Sequence, residues 1–253
     1  WTMESDLWDQ GEYVEVVSTV QSFVKSLRSN DGEIYDMLPT SSKNQLNTEV
    51  RNSILTSAFT WDFDAMKCDE TLLMEVILAY FDKISPFVSV VKEKFEHFIR
   101  NLPKYHDDNP YHNIVHITSV VHVTYMLLVE IAQQEQGPNF TEMEQFAILL
   151  AAAVHDIDHR GHTNLYEKNS KSPIGRAYAD HSNVLELHHY NYACELLKLP
   201  QYDFFINSVH HFEIKQIMEA NIMSTDMSKH NSLLRKIEES SDPTSLSMTL
   251  LKI

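Results

Sequence analysis

The segment AILLAAAVHDIDHRGHTN, residues 147–164, places a cluster of histidines and aspartates directly after a run of small and apolar residues. A helix that is apolar on every side is typically buried, so the run up to Val154 predicts a helix in the middle of a helical domain. Such a helix would carry His155 and Asp156 into the interior. Buried imidazoles and carboxylates are costly unless they are paired or bind a cation, so the cluster predicts a metal site. The alternative interpretation is a charged helix end at the surface.

The rest of the chain predicts an all-α fold. Only 5 of its 253 residues are Gly and 8 are Pro, so the turn residues that β-hairpins need are scarce. Thr141 followed by Glu144 is a capping-box pattern, which sets the start of the helix before the cluster. No repeat or change of composition marks a second domain. The predicted helices cover residues 11–29, 69–84, 85–102, 112–132, 142 to about 157 and 182–199, with more after 202 and 243, and residues 104–111 and 161–176 are predicted loops.

The charge of the chain excludes some partners. With 20 Lys and Arg against 36 Asp and Glu, the formal net charge is −16, which argues against nucleic acid and against contact with an anionic membrane. The longest apolar runs, such as 146–154, are predicted to be too short to cross a bilayer. An acidic protein can bind a phosphate through bound cations. Cys68 and Cys194 form no disulfide framework, so we expect an intracellular location on the cytosolic side.

Two groups of residues have the chemistry of metal ligands. His112 and His116 are four apart at or near a predicted helix start, which places two imidazoles on one helical face, although a histidine pair on a solvated turn has the same spacing. His155, Asp156 and His159 combine imidazole and carboxylate, which suit zinc or another divalent ion. A carboxylate can also bridge two metal ions. A pair of bound ions stabilises both the attacking and the leaving oxygen of a phosphoryl displacement.

Other polar residues are weaker candidates. Glu186, His188 and His189 on one predicted helix could orient ligands or metal-bound water, and Thr225 and Asp226 could do the same. The alternative for the first group is an amphipathic helix with its polar side outward. The alternative for Thr225 and Asp226 is a simple helix cap. The remaining histidines are interpreted singly, as surface or satisfied core residues; they include His97, His106, His122, His210 and His211. Motifs of nucleophilic serine hydrolases, P-loops, dinucleotide binding and Cys-x-x-Cys redox sites are absent from the sequence.

Four segments, NPYHNIVH, LLAAAVHDIDHRGHTN, YADHSNVLELHH and STDMSKH, occur in the order and spacing of the class I 3′,5′-cyclic nucleotide phosphodiesterase catalytic domain. The chain resembles this family over about residues 55–253, and more loosely the His-Asp metal phosphohydrolase superfamily. The resemblance implies a compact all-α multi-helix bundle with a metal site in its interior cleft. It implies one catalytic domain over 1–253, with 1–54 as an N-terminal helical lead-in, and hydrolysis of cAMP or cGMP to the 5′-monophosphate.

The resemblance also implies roles for individual residues. His112 stands at the position of a general acid that protonates the leaving 3′ oxygen. His116, His155 and Asp156 stand at metal-ligand positions, where Asp156 would bridge a tightly held zinc and a second ion, magnesium or manganese. A hydroxide between the ions would attack phosphorus. The family positions that support the metal ligands correspond here to His159, Glu186, Thr225 and Asp226. The family positions near the nucleotide correspond to Tyr111, Asn164 and Met227.

Several features depart from the family pattern. Leu187, Ser119 and His162 replace residues that are more frequent there, and none of these changes removes a ligand. The sequence stops at Ile253, before the family's fourth zinc ligand and its purine pocket, so we expect the catalytic domain to be incomplete at its C-terminus. Regulatory domains are expected outside this chain, and a homodimer is compatible with the family. The alternative functions are another His-Asp phosphohydrolase and a catalytically dead nucleotide- or protein-binding domain.

Overall fold

The structure is a computed structural model, and it describes residues 48–84, 90–106, 109–133, 139–205, 208–229 and 231. Within these ranges the chain is helical and no residue lies in a β-strand, which confirms the all-α prediction. The α-helices of the described ranges are α1 (Thr48–Ser57), α2 (Glu70–Ile84), α3 (Lys92–Asn101), α4 (Ile114–Ala132), α5 (Glu142–Val154), α6 (Asn164–Ser170), α7 (Pro173–Ala177), α8 (Val184–Leu196) and α9 (His211–Ser224). Three short 3₁₀ turns lie at Ala65–Lys67, Leu102–Tyr105 and Met227–Lys229.

The central element is α5, as the sequence predicts. Thr141 and Glu144 form the capping box at its start, because the side chain of each bonds to the backbone N–H of the other. Every residue from Phe146 to Val154 is buried, and α5 packs against α2, α4, α8 and α9. The helix ends at Val154 rather than near 157, because the following turn contains Asp158 in the left-handed conformation at φ 57°. The His-Asp cluster therefore lies directly after the buried end of α5.

Other predicted helices differ from the observed ones at their ends. The helix expected from residue 85 begins only at Lys92, because the Val91 N–H donates to the carbonyl of Phe204 at 2.8 Å instead of entering a helix. Residues 85–89 lie outside the described ranges, as do the helices predicted at 11–29 and after 243. The helix predicted from residue 112 begins at Ile114, and the one predicted at 182–199 spans Val184–Leu196.

The prediction of a loop over 161–176 is wrong, because this segment contains α6 and α7. The Thr163 side chain caps α6 by accepting from the Tyr166 N–H, and Ser172 caps α7 by accepting from the Gly175 N–H. Pro173 occupies the first position of α7, which suits its fixed φ. Each helix is short and is stabilised mainly by its cap and by packing on the bundle.

One helix is long and apolar enough to pass the test for a membrane span, contrary to the sequence expectation. Helix α4 has 19 residues, with a mean hydropathy of 1.7 over its most apolar window, and 44% of that window is buried inside the protein. The helix packs against α2 and α5 and carries buried polar residues, including His122 and Thr124. These contacts account for its apolar composition as that of a core helix.

A buried hydrogen-bonded pair joins α2 to α4. The Tyr80 hydroxyl lies 2.7 Å from the Ala58 carbonyl oxygen and 2.8 Å from Nδ1 of His122. Both side chains are almost fully buried, and burial lowers the pKa of His122 below its ordinary value. His122 is therefore a satisfied core residue, as the sequence interpretation expects.

We expect Tyr80→Phe to destabilise the protein by about 1–3 kcal/mol, because it removes a buried hydroxyl that pairs with both the His122 ring nitrogen and the Ala58 carbonyl. Urea denaturation followed by far-UV circular dichroism measures the change. Tyr125→Phe is the matched control: the Tyr125 ring stacks on Tyr80 at 4.5 Å, and its hydroxyl makes no hydrogen bond within the described part of the chain. Equal losses in the two variants would contradict the assignment.

Candidate metal centre

Five histidines and one aspartate meet at the C-terminal end of α5. His112 lies in the turn before α4, and His116 lies in the first turn of that helix. His155 and Asp156 follow the last residue of α5, and the other two members are His159 in the next turn and His189 on α8. Segments that are distant in sequence therefore share one site, and most of these side chains are buried.

The Asp156 carboxylate is the centre of the cluster. Its Oδ2 lies 2.8 Å from Nδ1 of His112, 3.3 Å from Nε2 of His116 and 3.3 Å from Nε2 of His155. Burial by itself would raise the pKa of the Asp156 carboxyl, but the imidazoles of His155, His112 and His116 hold that pKa well below its ordinary value. The site is thus a buried anion surrounded by nitrogen donors, a ligand set that suits zinc.

Hydrogen bonds to backbone carbonyls fix which ring nitrogen two of the histidines present. Nδ1 of His155 donates to the Ala152 carbonyl at 2.9 Å, and Nδ1 of His189 donates to the Ile157 carbonyl at 2.6 Å. A neutral imidazole has one N–H, so in its neutral form each ring presents Nε2 as the nitrogen that can bind a metal. Burial lowers the pKa of His189 far below its ordinary value, whereas Asp156 raises that of His155 in opposition to burial.

Two overlapping sets of residues could each hold an ion. In each set the ligand atoms lie within 4.8 Å of one another, and Asp156 belongs to both: one set adds His112 and His116, and the other adds His159 and His189. The ligands predicted from the sequence, His116, His155 and Asp156, are brought together. The sequence signal for His189 was only its place beside His188, which could not show which of the two faces the cluster.

His159 differs from the other rings of the cluster in its tautomer. It stacks on His112, with ring centroids 3.6 Å apart, and its Nδ1 accepts a hydrogen bond from the Gly161 N–H at 2.9 Å. Burial is the main cause that lowers the pKa of His159 to about 4. The neutral ring therefore carries its proton on Nε2.

The turn that carries His112 is built around Asn109. The Asn109 side-chain oxygen accepts from the N–H groups of Tyr111 and His112 at 3.0 and 3.1 Å. Asn113 donates to the Asn109 carbonyl and caps α4 with its own side-chain oxygen. Gly161, with φ 77°, lies against the Asn109 amide, where an added Cβ would stand 2.9 Å from Nδ2. The loop after α5 and the turn before α4 thus fit each other closely.

We expect Gly161→Ala to cost about 1–3 kcal/mol of folding stability, since a side chain at positive φ is strained and the new Cβ meets the Asn109 amide. Urea denaturation measures this loss. The double variant with Asn109→Ala separates the two causes, because it removes the contact and leaves the strain. Full stability of Gly161→Ala would refute the close fit.

The other predicted residues include Asn164 at the start of α6, Glu186 on α8 and Thr225 at the end of α9. Asn164 donates to both Glu186 oxygens, at 3.0 and 3.3 Å, and accepts from the Leu185 N–H at 2.7 Å. Burial raises the pKa of the Glu186 carboxyl, and the charge of Asp226 adds to this effect. The Thr225 hydroxyl donates to the Ile222 carbonyl at the end of α9. Tyr111 and Met227 are exposed, and the Tyr111 ring lies 4.6 Å from that of His116.

A second acidic residue, Asp158, completes the turn after α5. Its Oδ2 accepts a hydrogen bond from Nε2 of His188 at 2.6 Å and lies 3.6 Å from the Arg160 guanidinium. His188 and His189 therefore face different carboxylates, Asp158 and Asp156, because neighbouring residues on a helix point about 100° apart. This pairing was not predicted, since nothing in the sequence connects position 158 with position 188.

Known proteins are similar to this chain in sequence and in fold. Residues 111–250 match the family model of 3′5′-cyclic nucleotide phosphodiesterases. The chain is 36% identical over 143 residues to a probable 3′,5′-cyclic-AMP phosphodiesterase of Caenorhabditis elegans, covering 56% of this chain and 21% of the relative. It is 36% identical over 152 residues to the 3′,5′-cyclic-AMP phosphodiesterase 4C of Mus musculus, covering 58% and 22%.

The fold matches a solved structure with equal clarity. The phosphodiesterase domain of the RhoPDE fusion protein from the choanoflagellate Salpingoeca rosetta superimposes with a TM-score of 0.70 at 30% identity, covering 80% of this chain and 68% of that chain. The chain spans only about a fifth of the two curated relatives. The matched family model covers more than half of this chain, and the predicted motifs lie within or next to it. The chain belongs to the 3′,5′-cyclic nucleotide phosphodiesterase family.

Proposed function

We propose that the protein hydrolyses a 3′,5′-cyclic nucleotide to the 5′-monophosphate with the help of two divalent ions held around Asp156. The observation that carries the proposal is the Asp156 carboxylate, which lies within 3.3 Å of three imidazoles in a chain of this family. The relatives described above bear names of cyclic-AMP phosphodiesterases, so cAMP is the first substrate to test and cGMP the second.

The charge of the protein supports a role for cations in binding the substrate. A cyclic nucleotide carries a phosphate anion, and the chain has a net charge of −16. Ions bound in the cluster would attract the phosphate, polarise its oxygens and lower the pKa of water. His116, His155 and Asp156 would hold the first ion, for which zinc is the natural choice given two imidazoles and a carboxylate. The family resemblance suggests magnesium or manganese as the second ion.

His112 is the general acid in this proposal, and three features of its surroundings support the role. Nδ1 of its ring is fixed by the Asp156 carboxylate at 2.8 Å, so Nε2 is the atom that can carry a proton to the leaving 3′ oxygen. Its side chain is 30% exposed, compared with 6% for His155, so a substrate can reach it. Stacking on His159 and the Asn109 turn hold the ring in place.

The nucleotide would lie against the side chains around the rim of the cluster. Tyr111 and Met227 are exposed apolar surfaces, and Asn164 is held by the Glu186 carboxylate. Glu186, Thr225 and Asp226 would support water or ligands from the α8 and α9 side. Cys68 and Cys194 are free thiols, which is compatible with an intracellular location on the cytosolic side.

Hydrolysis of cAMP and of cGMP by the purified protein tests this proposal. The protein is stripped of metal with a chelator and then given zinc together with magnesium or manganese. The expected result is release of the 5′-monophosphate only after metal is restored. If ions bind and neither nucleotide reacts, another phosphoester is the substrate, and if no ion binds, the chain is a binding domain.

A further inference from the structure

The segment 160–176, which contains α6 and α7, is basic although the chain as a whole is acidic. It holds four of the 20 Lys and Arg residues, which are Arg160, Lys168, Lys171 and Arg176. Of the 36 Asp and Glu residues it holds only Glu167, whose side chain is buried and 1% exposed. The surface of this segment therefore has no exposed acid of its own to balance its cations.

Glu167 also holds α6 and α7 together. Its carboxylate accepts hydrogen bonds from the Ser172 hydroxyl, which caps α7, and from Nδ1 of His162 at 2.9 Å. Gly175 packs so closely on the backbone of Glu167 that an added Cβ would stand 1.9 Å from the Glu167 carbonyl oxygen. The two helices thus form one rigid unit. A surface that is already ordered loses little conformational entropy when a partner binds.

Three of the cations are fixed in place without an acidic partner. The Lys168 ammonium donates to the His181 carbonyl at 2.9 Å, and the Arg176 guanidinium donates to the Lys171 carbonyl at 2.6 Å. Within the described part of the chain, Lys168, Lys171 and Arg176 form no ion pair with a carboxylate. Their side chains are therefore oriented while their charges stay available to a binding partner.

Exposed apolar side chains lie on the same short helix. Leu165 is 67% exposed and Tyr166 is 51% exposed. Leu165 and Lys168 are three residues apart, so they share one side of α6, and Lys171 follows at its C-terminal end. Tyrosine and arginine are among the residue types that contribute most to binding at protein interfaces. We call this surface the basic face; its residues are Leu165, Tyr166, Lys168, Lys171 and Arg176.

We propose that the basic face is a docking surface for a short acidic peptide segment of a partner protein. Carboxylates of the peptide bind Lys171 and Arg176, and an apolar residue of the peptide packs on Leu165. An anionic bilayer has the same sign of charge, but it extends past the basic face and is repelled by a protein with a net charge of −16. A short peptide meets only the charges within a Debye length, about 8 Å in physiological salt. The charge pattern therefore favours the peptide.

The test measures binding of fluorescent peptides to the purified protein by anisotropy. The peptides carry Leu, Phe or Trp at different places among Asp and Glu, and neutral copies carry Asn and Gln instead of the acids. We expect the acidic peptides to bind in physiological salt, at least about 10-fold more tightly than the neutral copies. Affinity should fall as the salt concentration rises.

The double variant Lys171→Glu/Arg176→Glu reverses two charges of the basic face and should weaken binding of the acidic peptides by at least about 10-fold. The double variant Lys67→Glu/Lys92→Glu is the matched control, because it changes the net charge equally at two exposed lysines outside the segment. It should bind the peptides like the wild type. Equal losses in the two double variants would show that net charge alone is responsible and would overturn the proposal.

Lys171→Asn tests the same charge with little risk to folding, since Lys171 has φ 52° and Asn tolerates the left-handed conformation. It should weaken peptide binding while the thermal unfolding transition is unchanged. Failure of every acidic peptide to bind the wild type would overturn the proposal, as would binding to phosphatidylserine vesicles alone. No residue of the basic face belongs to the possible metal-ligand sets, so these outcomes do not depend on the proposed hydrolysis.

Discussion

Asp156→Asn should abolish metal-dependent hydrolysis, with turnover falling by more than about 10³-fold, which corresponds to about 4 kcal/mol of transition-state stabilisation. The two side chains have nearly the same size, so the packing at the end of α5 is retained. The amide is neutral and offers only one oxygen, so it cannot face the His112, His116 and His155 rings with one oxygen and His189 with the other. Bound zinc should fall together with turnover.

The measurement is the initial rate with cAMP and with cGMP at saturating zinc and manganese, together with metal content after gel filtration. Asp158→Asn is the matched control, because this carboxylate lies two residues away and binds His188. It should retain the metal. Near-normal turnover by Asp156→Asn would refute the assignment of this centre.

His112→Asn should lower turnover by about 10²–10⁴-fold while metal content stays near that of the wild type. The Asn amide can keep the contact that Nδ1 of His112 makes with Asp156 at 2.8 Å, but it has no group in place of Nε2. The variant therefore removes the proton donor and keeps the structure of the turn.

A substrate with a better leaving group separates the two interpretations of His112. A p-nitrophenyl phosphodiester needs little help from an acid, so its hydrolysis should fall much less than that of the cyclic nucleotide. His112 also belongs to one of the two possible ligand sets, with His116 and Asp156. Loss of metal from His112→Asn, with equal losses on both substrates, would make His112 a ligand instead of an acid.

Local signals in the sequence were sufficient for the central helix and for part of the site. The Thr141–Glu144 capping box and the apolar run defined α5, and the capping box is present in the structure. His155 and Asp156 follow α5, and His116 could be joined to them because the motif order matched a known family. Thr163 and the Ser172–Pro173 pair are cap signals that could have predicted α6 and α7. They were missed because the composition of residues 161–176 is typical of a loop.

Features that depend on long-range contacts could not be predicted. The late start of α3 at Lys92 follows from the bond between Val91 and the Phe204 carbonyl, over a separation of more than a hundred residues. The orientation of the His189 ring depends on the Ile157 carbonyl, which α8 meets only after packing. Nothing in the local sequence around either residue contains that information. A helix can be predicted from its own residues. The tautomer of a buried imidazole can be predicted only when the groups packed against its ring are known.

The alanine run of α5 links the chemistry of this protein to the packing of its core. Ala151, Ala152 and Ala153 are fully buried, and the Ala152 carbonyl holds the His155 ring in the orientation that the site needs. We expect a bulkier residue at these positions to shift the helix backbone and to move His155 and Asp156 with it. Adaptation of the interior to a hotter or colder habitat is therefore constrained here, because each change of volume in α5 is also a change of ligand geometry.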